Sequence, residues 1–178
     1  MNLFGAALDT PAVKFGKMCQ LRKWGLPLGN EYLGLLLFAD NCWIIAMSPS
    51  ELQMMARAWY ELLKSSGLQI DWGEAVWCTT ASDSLPADIT VSETVITRRK
   101  REEGFKALGV WITFDGHFTK ELAEREVSAW RRFYAPHHLL CDNSVALKYR
   151  LRLLTSCVMS SMYWCSGSWI LTCTQCAH

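Results

Sequence analysis

Three groups of side chains in this sequence combine reactive or charged functions closely enough to act together. The first is Ala39-Asp40-Asn41, an acidic turn between two apolar runs, residues 32–38 and 42–47. Divalent-ion chemistry on phosphates needs carboxylates on a rigid support, so that two ions clamp the attacking and leaving oxygens. A hairpin of apolar strands is such a support, although Asp and Asn are also ordinary turn formers because both tolerate positive φ. The second group is basic: Arg125, Arg131, Arg132, Lys148, Arg150 and Arg152, with Trp130 and Tyr149 among them. Such a set suits the phosphates of a nucleic acid with rings packed beneath. Lys148, Arg150 and Arg152 cannot all share one helical face, and a solvated helix reads the same way. The third is Cys173-Thr174-Gln175-Cys176 with Cys165 and His178, half of a zinc-site pattern without its second pair. His137-His138 reads as a loop joining helices.

The elements that position these residues follow from periodicity. Residues 1–30 show little of it and end in Gly25-Leu26-Pro27-Leu28-Gly29-Asn30, a turn-rich lead-in. The two apolar runs about Asp40 predict a β-hairpin of buried strands. Ser48-Pro49-Ser50-Glu51 is a capping-box pattern with proline at the first helical position. Leu52, Met55, Ala56, Trp59, Leu62 and Leu63 then recur at helical spacing until Gly67. Short strands are expected at residues 68–70, 75–78, 89–91, 95–97 and 105–114, with a loop over 79–88. Past Asp115-Gly116 the period turns helical. Thr119 can cap one helix, with Leu122, Ala123, Val127, Trp130 and Phe133 or Tyr134 on one side. Asn143 or Ser144 can cap another, with a stripe of Leu147, Leu151, Leu154, Val158 and Met162.

Composition bounds the function classes. The chain has 178 residues, 51% of them apolar, and nine Trp, which excludes a disordered chain. Its net charge of +1 hides a split: residues 31–97 hold two basic and nine acidic side chains, residues 98–152 twelve basic and seven acidic. Such a split suits a protein that gathers metal-binding carboxylates in one place and meets a polyanion in another. Eight cysteines at irregular spacing, several inside apolar runs and with no secretory pattern before them, read as reduced thiols of an intracellular protein, nucleus or cytoplasm undetermined. Residues 153–177 carry no charge, which raises a membrane-anchored alternative, but five Ser, three Thr and Gly167 within them favour a buried helix and no membrane.

Taken in order, these parts resemble the C-terminal half of a reverse transcriptase from a non-LTR (LINE-type) retrotransposon. Phe38-Ala39-Asp40-Asn41 resembles the Phe/Tyr-Ala-Asp-Asp hairpin of that family's palm. Gly67-Leu68-Gln69-Ile70-Asp71 is similar to its Gly-Leu-x-Ile-Asn stretch, and Phe105-Lys106-Ala107-Leu108-Gly109 to the Phe-Lys-Tyr-Leu-Gly element before the thumb. The helix bearing Trp130 and the one running from Leu147 towards Gly167-Ser168-Trp169 resemble the thumb. The resemblance covers roughly residues 20–170, and the order of its parts makes it specific.

What the resemblance implies is an α+β fold: a partial palm over residues 1–116, a helical thumb-like region over 117–172 and a tail over 173–178. It implies RNA-directed DNA polymerisation from deoxynucleoside triphosphates with Mg²⁺, with Asp40 as metal ligand, Asp40 and Asn41 at the catalytic hairpin, and Phe105, Leu108 and Gly109 seating the primer. Arg125, Arg131, Arg132, Lys148, Arg150 and Arg152 would grip an RNA template and DNA primer duplex. The departures imply an incomplete centre that is inactive alone. The family's first metal-binding aspartate and its Gln-Gly motif lie upstream, and Asp9 is the only acid in residues 1–30. Asn41 replaces the second aspartate, and Glu74 stands where the family shows a lysine. A missing upstream palm segment would then be a partner. A catalytically dead nucleic-acid-binding module and a small membrane-anchored protein remain the alternatives.

Overall fold

The computed structural model describes residues 3–81, 86–164 and 166. The fold is mixed α+β, and the chain divides into two compact units, residues 1–77 with 81–98, and residues 78–80 with 99–178. Among the described residues every strand belongs to one of four two-stranded antiparallel hairpins.

The first unit opens with α1 (Leu3–Arg22), where the sequence suggested an irregular lead-in. Its buried side chains Leu8, Pro11, Phe15 and Cys19 are three, four and four residues apart, one face of a helix. That stripe is masked by Gly5 and Gly16, by a proline inside the helix, and by apolar residues such as Val13 and Leu21 that face solvent. Two hairpins follow, β1 (Leu26–Leu28) with β2 (Glu31–Leu33), and β3 (Leu35–Phe38) with β4 (Asn41–Ile44). Gly34 separates them because there is no room for a side chain: a Cβ there would stand 2.5 Å from the Cys19 sulfur and 2.8 Å from the Met55 methyl.

Helix α2 (Pro49–Ser65) forms as the sequence dictates. The Ser48 hydroxyl accepts the Glu51 amide at 3.2 Å, proline occupies the first turn, and Met55, Trp59 and Leu63 are buried. Its end is a Schellman turn: Gly67 N–H donates to the Lys64 carbonyl and Leu68 N–H to that of Leu63, with Gly67 at φ +75°. The Glu51 carboxylate accepts the Gly25 amide at 2.6 Å and the Met47 amide at 3.2 Å, so one side chain joins the first hairpin to the helix start. The Phe15 and Trp59 rings meet edge-on at 5.4 Å in the core between α1 and α2.

The other edge of α2 covers β5 (Asp88–Val91) and β6 (Thr94–Thr97), where Ile89, Val91 and Ile96 join Trp77 in a second cluster with Leu52, Ala56, Tyr60, Trp72 and Ala75. Residues 68–70 and 75–78, expected as strands, contribute only an isolated bridge between Trp77 and Arg98. Their side chains are used for packing instead: Leu68 and Ile70 lie on the first cluster, Ala75 and Trp77 in the second.

In the second unit the stretch 105–114, expected as one strand, folds back on itself as β7 (Phe105–Ala107) and β8 (Val110–Ile112). Leu108 (φ +51°) and Gly109 (φ +83°) make the two-residue turn, both in the left-handed region that a primed hairpin turn uses. Helix α3 (Thr119–Tyr134) packs on β8, on α6 (Ser160–Met162) and on a π-helical segment, Leu154–Met159, that continues α5 (Leu147–Leu153). The α3 cap position is Phe118, not Thr119, and that of α5 is Ala146, with no side-chain cap at either. Of the stripe expected from Leu147 to Met162, Val158 is buried and Leu154 half-buried, whereas Leu147, Leu151 and Met162 are exposed. His137 and His138 lie in a short helix, α4 (His137–Cys141), where the sequence suggested a loop.

Candidate functional site

Asp40 lies at the tip of the β3–β4 hairpin. Phe38 pairs with Asn41, so the connection is only two residues, Ala39-Asp40. The positive φ required by this tight turn falls on Ala39 (+53°) rather than on the Asp-Asn pair. The Asn41 side-chain amide donates to one oxygen of the Asp40 carboxylate at 3.1 Å. Only the base of the hairpin is covered: Leu35 and Ile44, both half-buried, pack on the α1–α2 core, while Leu36, Leu37 and Phe38 are exposed, Phe38 by 59%. The sequence expectation of fully buried strands is therefore corrected, because the four-residue strands extend past the core that supports them.

The hairpin donor set is one carboxylate and one amide. Two catalytic ions require more oxygen ligands than that, so these residues alone do not fit a two-ion centre. Among the described residues there is no group of three or more His, Cys, Asp or Glu placed to hold a metal. Cys165, Cys173, Cys176 and His178, the half zinc pattern, lie outside the described residues, as does Gly167-Ser168-Trp169. Among the described residues no helix is long and apolar enough to cross a membrane, and residues 165 and 167–177 of the uncharged C-terminal stretch lie outside them.

The remaining candidate residues belong to the second unit. Phe105 is half-buried, its ring 6.0 Å from that of Phe114, and Leu108-Gly109 is the hairpin tip with Leu108 exposed. Arg125 is not a free cation. Its Nε donates to Glu121 Oε1 at 2.5 Å and its Nη2 to the Gly109 carbonyl, while Glu121 Oε2 accepts the Trp111 amide at 2.7 Å. Glu121 is 1% exposed and is the buried charge of this unit among the described residues. The pair fastens the Leu108-Gly109 tip to α3, which explains why this hairpin belongs with the helices. Glu121 carries no sequence signal of burial except the i, i+4 spacing to Arg125.

Arg131 and Arg132 are exposed at the end of α3, Lys148 and Arg152 are exposed on α5, and Arg150 is half-buried. Lys148 lies over the Tyr149 ring at 4.9 Å. The Ser144 amide (2.8 Å) and hydroxyl hold the nearby Asp142 carboxyl below its ordinary range, helped by the charges of Arg150 and His138. At Asp115 burial pushes upward, but the His117 amide (3.0 Å), the Thr113 hydroxyl and the His117 charge outweigh it and hold that carboxyl low. His137 and Cys141 face each other at 3.3 Å between Nε2 and Sγ, a pairing not anticipated from the sequence although the i, i+4 spacing was visible. No family model matches the chain, and no curated protein or solved structure matches it either.

Proposed function

We propose that this chain is a palm-and-thumb portion of a non-LTR retrotransposon reverse transcriptase that holds nucleic acid and does not polymerise by itself. The observation that supports this most is the order of parts around Asp40: a tight two-residue hairpin bearing the acid, the capped helix α2, the Schellman turn at Gly67, then the Leu108-Gly109 hairpin and the Arg-bearing helix α3. On this reading Mg²⁺ would supply charge stabilisation to deoxynucleoside triphosphates only in a centre with more carboxylates than Asp40 provides, so no catalytic step is assigned to this chain. Arg131, Arg132, Lys148, Arg150 and Arg152 would instead meet the phosphates of an RNA template and DNA primer duplex, a sequence-independent grip. Arg125 is withdrawn from that set, since its guanidinium is engaged by Glu121 and Gly109.

The purified chain should show no primer extension on any template with Mg²⁺ or Mn²⁺. Fusion in frame to the upstream palm of a related enzyme should restore little activity unless Asn41→Asp is introduced as well, because a neutral ligand loses charge stabilisation at the ions. Incorporation by the unfused chain that disappears in Asp40→Ala would overturn the claim of inactivity. Full activity of the fusion with Asn41 unchanged would show that the second carboxylate is dispensable.

A further inference from the structure

The C-terminal end of α3 carries a ladder of rings that the reading above does not use. Trp130 and Tyr134, one helical turn apart, are stacked with centroids 5.9 Å apart and planes inclined by 26°. Tyr134 continues onto His137, the first residue of α4, at 6.1 Å and 32°. Phe133, half-buried, meets Trp130, Tyr134 and His137 edge-on at 5.8, 5.5 and 5.8 Å and supports them from one side. The ladder is open to solvent, Trp130 by 52% and Tyr134 by 63%.

The charges around it indicate the occupant. Arg131 lies about 100° round the helix from Trp130 and so flanks the ladder, with Arg132 beyond it. Both are exposed, and among the described residues neither forms an ion pair. Glu126, one turn before Trp130, bounds the ladder at its other end. An aliphatic partner would gain little from planar rings whose edges bear an indole N–H, a phenol and an imidazole beside a guanidinium. A nucleobase adds to such a ladder by stacking, whichever base it is, while its phosphate meets the cation. A duplex hides its base faces, so the bases concerned are unpaired.

We propose that Trp130, Tyr134 and His137 form a stacking platform for unpaired bases of a single-stranded polynucleotide, with Arg131 meeting its phosphate. This rests on the nucleic-acid reading above for its polyanion partner, and the test separates the two.

The full chain is titrated with a short single-stranded RNA carrying 2-aminopurine and, separately, with an RNA–DNA hybrid of the same length. Binding should quench the 2-aminopurine emission. Trp130→Ala and Tyr134→Ala should each weaken single-strand binding about fivefold to a hundredfold, the usual range for losing one base–ring stack. Hybrid binding should change less than about twofold in Tyr134→Ala, and Trp130→Phe should restore most of the single-strand affinity lost in Trp130→Ala. Because both rings are exposed, far-UV circular dichroism should be unchanged. Single-strand affinity that survives both alanine substitutions, with the hybrid still bound, overturns the platform and leaves the polymerase reading standing. Failure to bind either polynucleotide removes both. Self-association abolished by Trp130→Ala, without oligonucleotide binding, also overturns the proposal by making the ladder a contact between copies.

Discussion

Replacing Glu121 by glutamine should open the β7–β8 hairpin without unfolding the rest of the chain. The side chain keeps its shape, but its single remaining oxygen cannot serve both the Trp111 amide and the Arg125 guanidinium, which approach different oxygens at 2.7 and 2.5 Å. One donor then faces an amide N–H₂. Losing a charge-assisted hydrogen bond costs about 1.5–3 kcal/mol, and breaking a buried pair about 3–5 kcal/mol. The Arg125 side chain remains 13% exposed and so recovers some solvation, which places the loss at about 2–4 kcal/mol. Hydrogen exchange resolved by peptide is the suitable assay, because the two compact units need not open together. Amides of residues 105–112 and 119–134 should exchange roughly thirtyfold to a thousandfold faster, at about tenfold per 1.4 kcal/mol, while those of residues 49–65 keep their protection. Arg125→Met should accelerate the same segments, and the double variant should cost less than the sum of the two, since neither then strands a charge. A change below about threefold in residues 105–112 would refute the assignment of Glu121 as the fastener.

Two further outcomes follow from the first unit. Ala39→Gly should raise its stability by about 0.5–1 kcal/mol in urea unfolding, because alanine at φ +53° bears a strain that glycine does not; destabilisation would show that the turn is unstrained. Burial, and secondarily the charge of Glu51, push the Cys19 thiol above the ordinary thiol range. A raised folded-state value means stability that is present below the unfolded value and lost as pH rises through the folded one. Stability measured from about pH 8 to 10.5 should therefore fall more steeply in the native chain than in Cys19→Ala, and parallel slopes would remove the thiol as the cause.

Legibility in the sequence tracked how local the determinant was. Helix α2 was fully readable because Ser48, Pro49, the Met55–Trp59–Leu63 spacing and Gly67 all act within one or two turns. The hairpin about Asp40 was readable as a hairpin, but the residue under positive φ, Ala39, was not, since alanine carries no turn signal. Helix α1 was hidden because its stripe of Leu8, Pro11, Phe15 and Cys19 includes a residue type that argues against helix. The burial of Glu121 depends on Trp111 and Gly109 arriving from a hairpin about ten residues away in sequence, and no local pattern announces that. On α3 the helical period places Trp130, and either Phe133 or Tyr134, on the apolar side, but only Phe133 is half-buried while Trp130 and Tyr134 are exposed, because among the described residues no element covers that end of the helix face.

The proposed grip of the helical unit on nucleic-acid phosphates is decided by salt-titrated fluorescence anisotropy on an RNA–DNA hybrid. The affinity should be independent of sequence and fall linearly on logarithmic axes with a slope near 0.9 per phosphate contact. Replacing Arg131, Arg132, Arg150 and Arg152 together should flatten that slope, whereas Glu124→Gln with Glu126→Gln should leave it or steepen it slightly; Glu121 is kept intact because it holds the fold. No detectable binding at about 50 mM salt, or a slope unchanged by the four replacements, would contradict the claim.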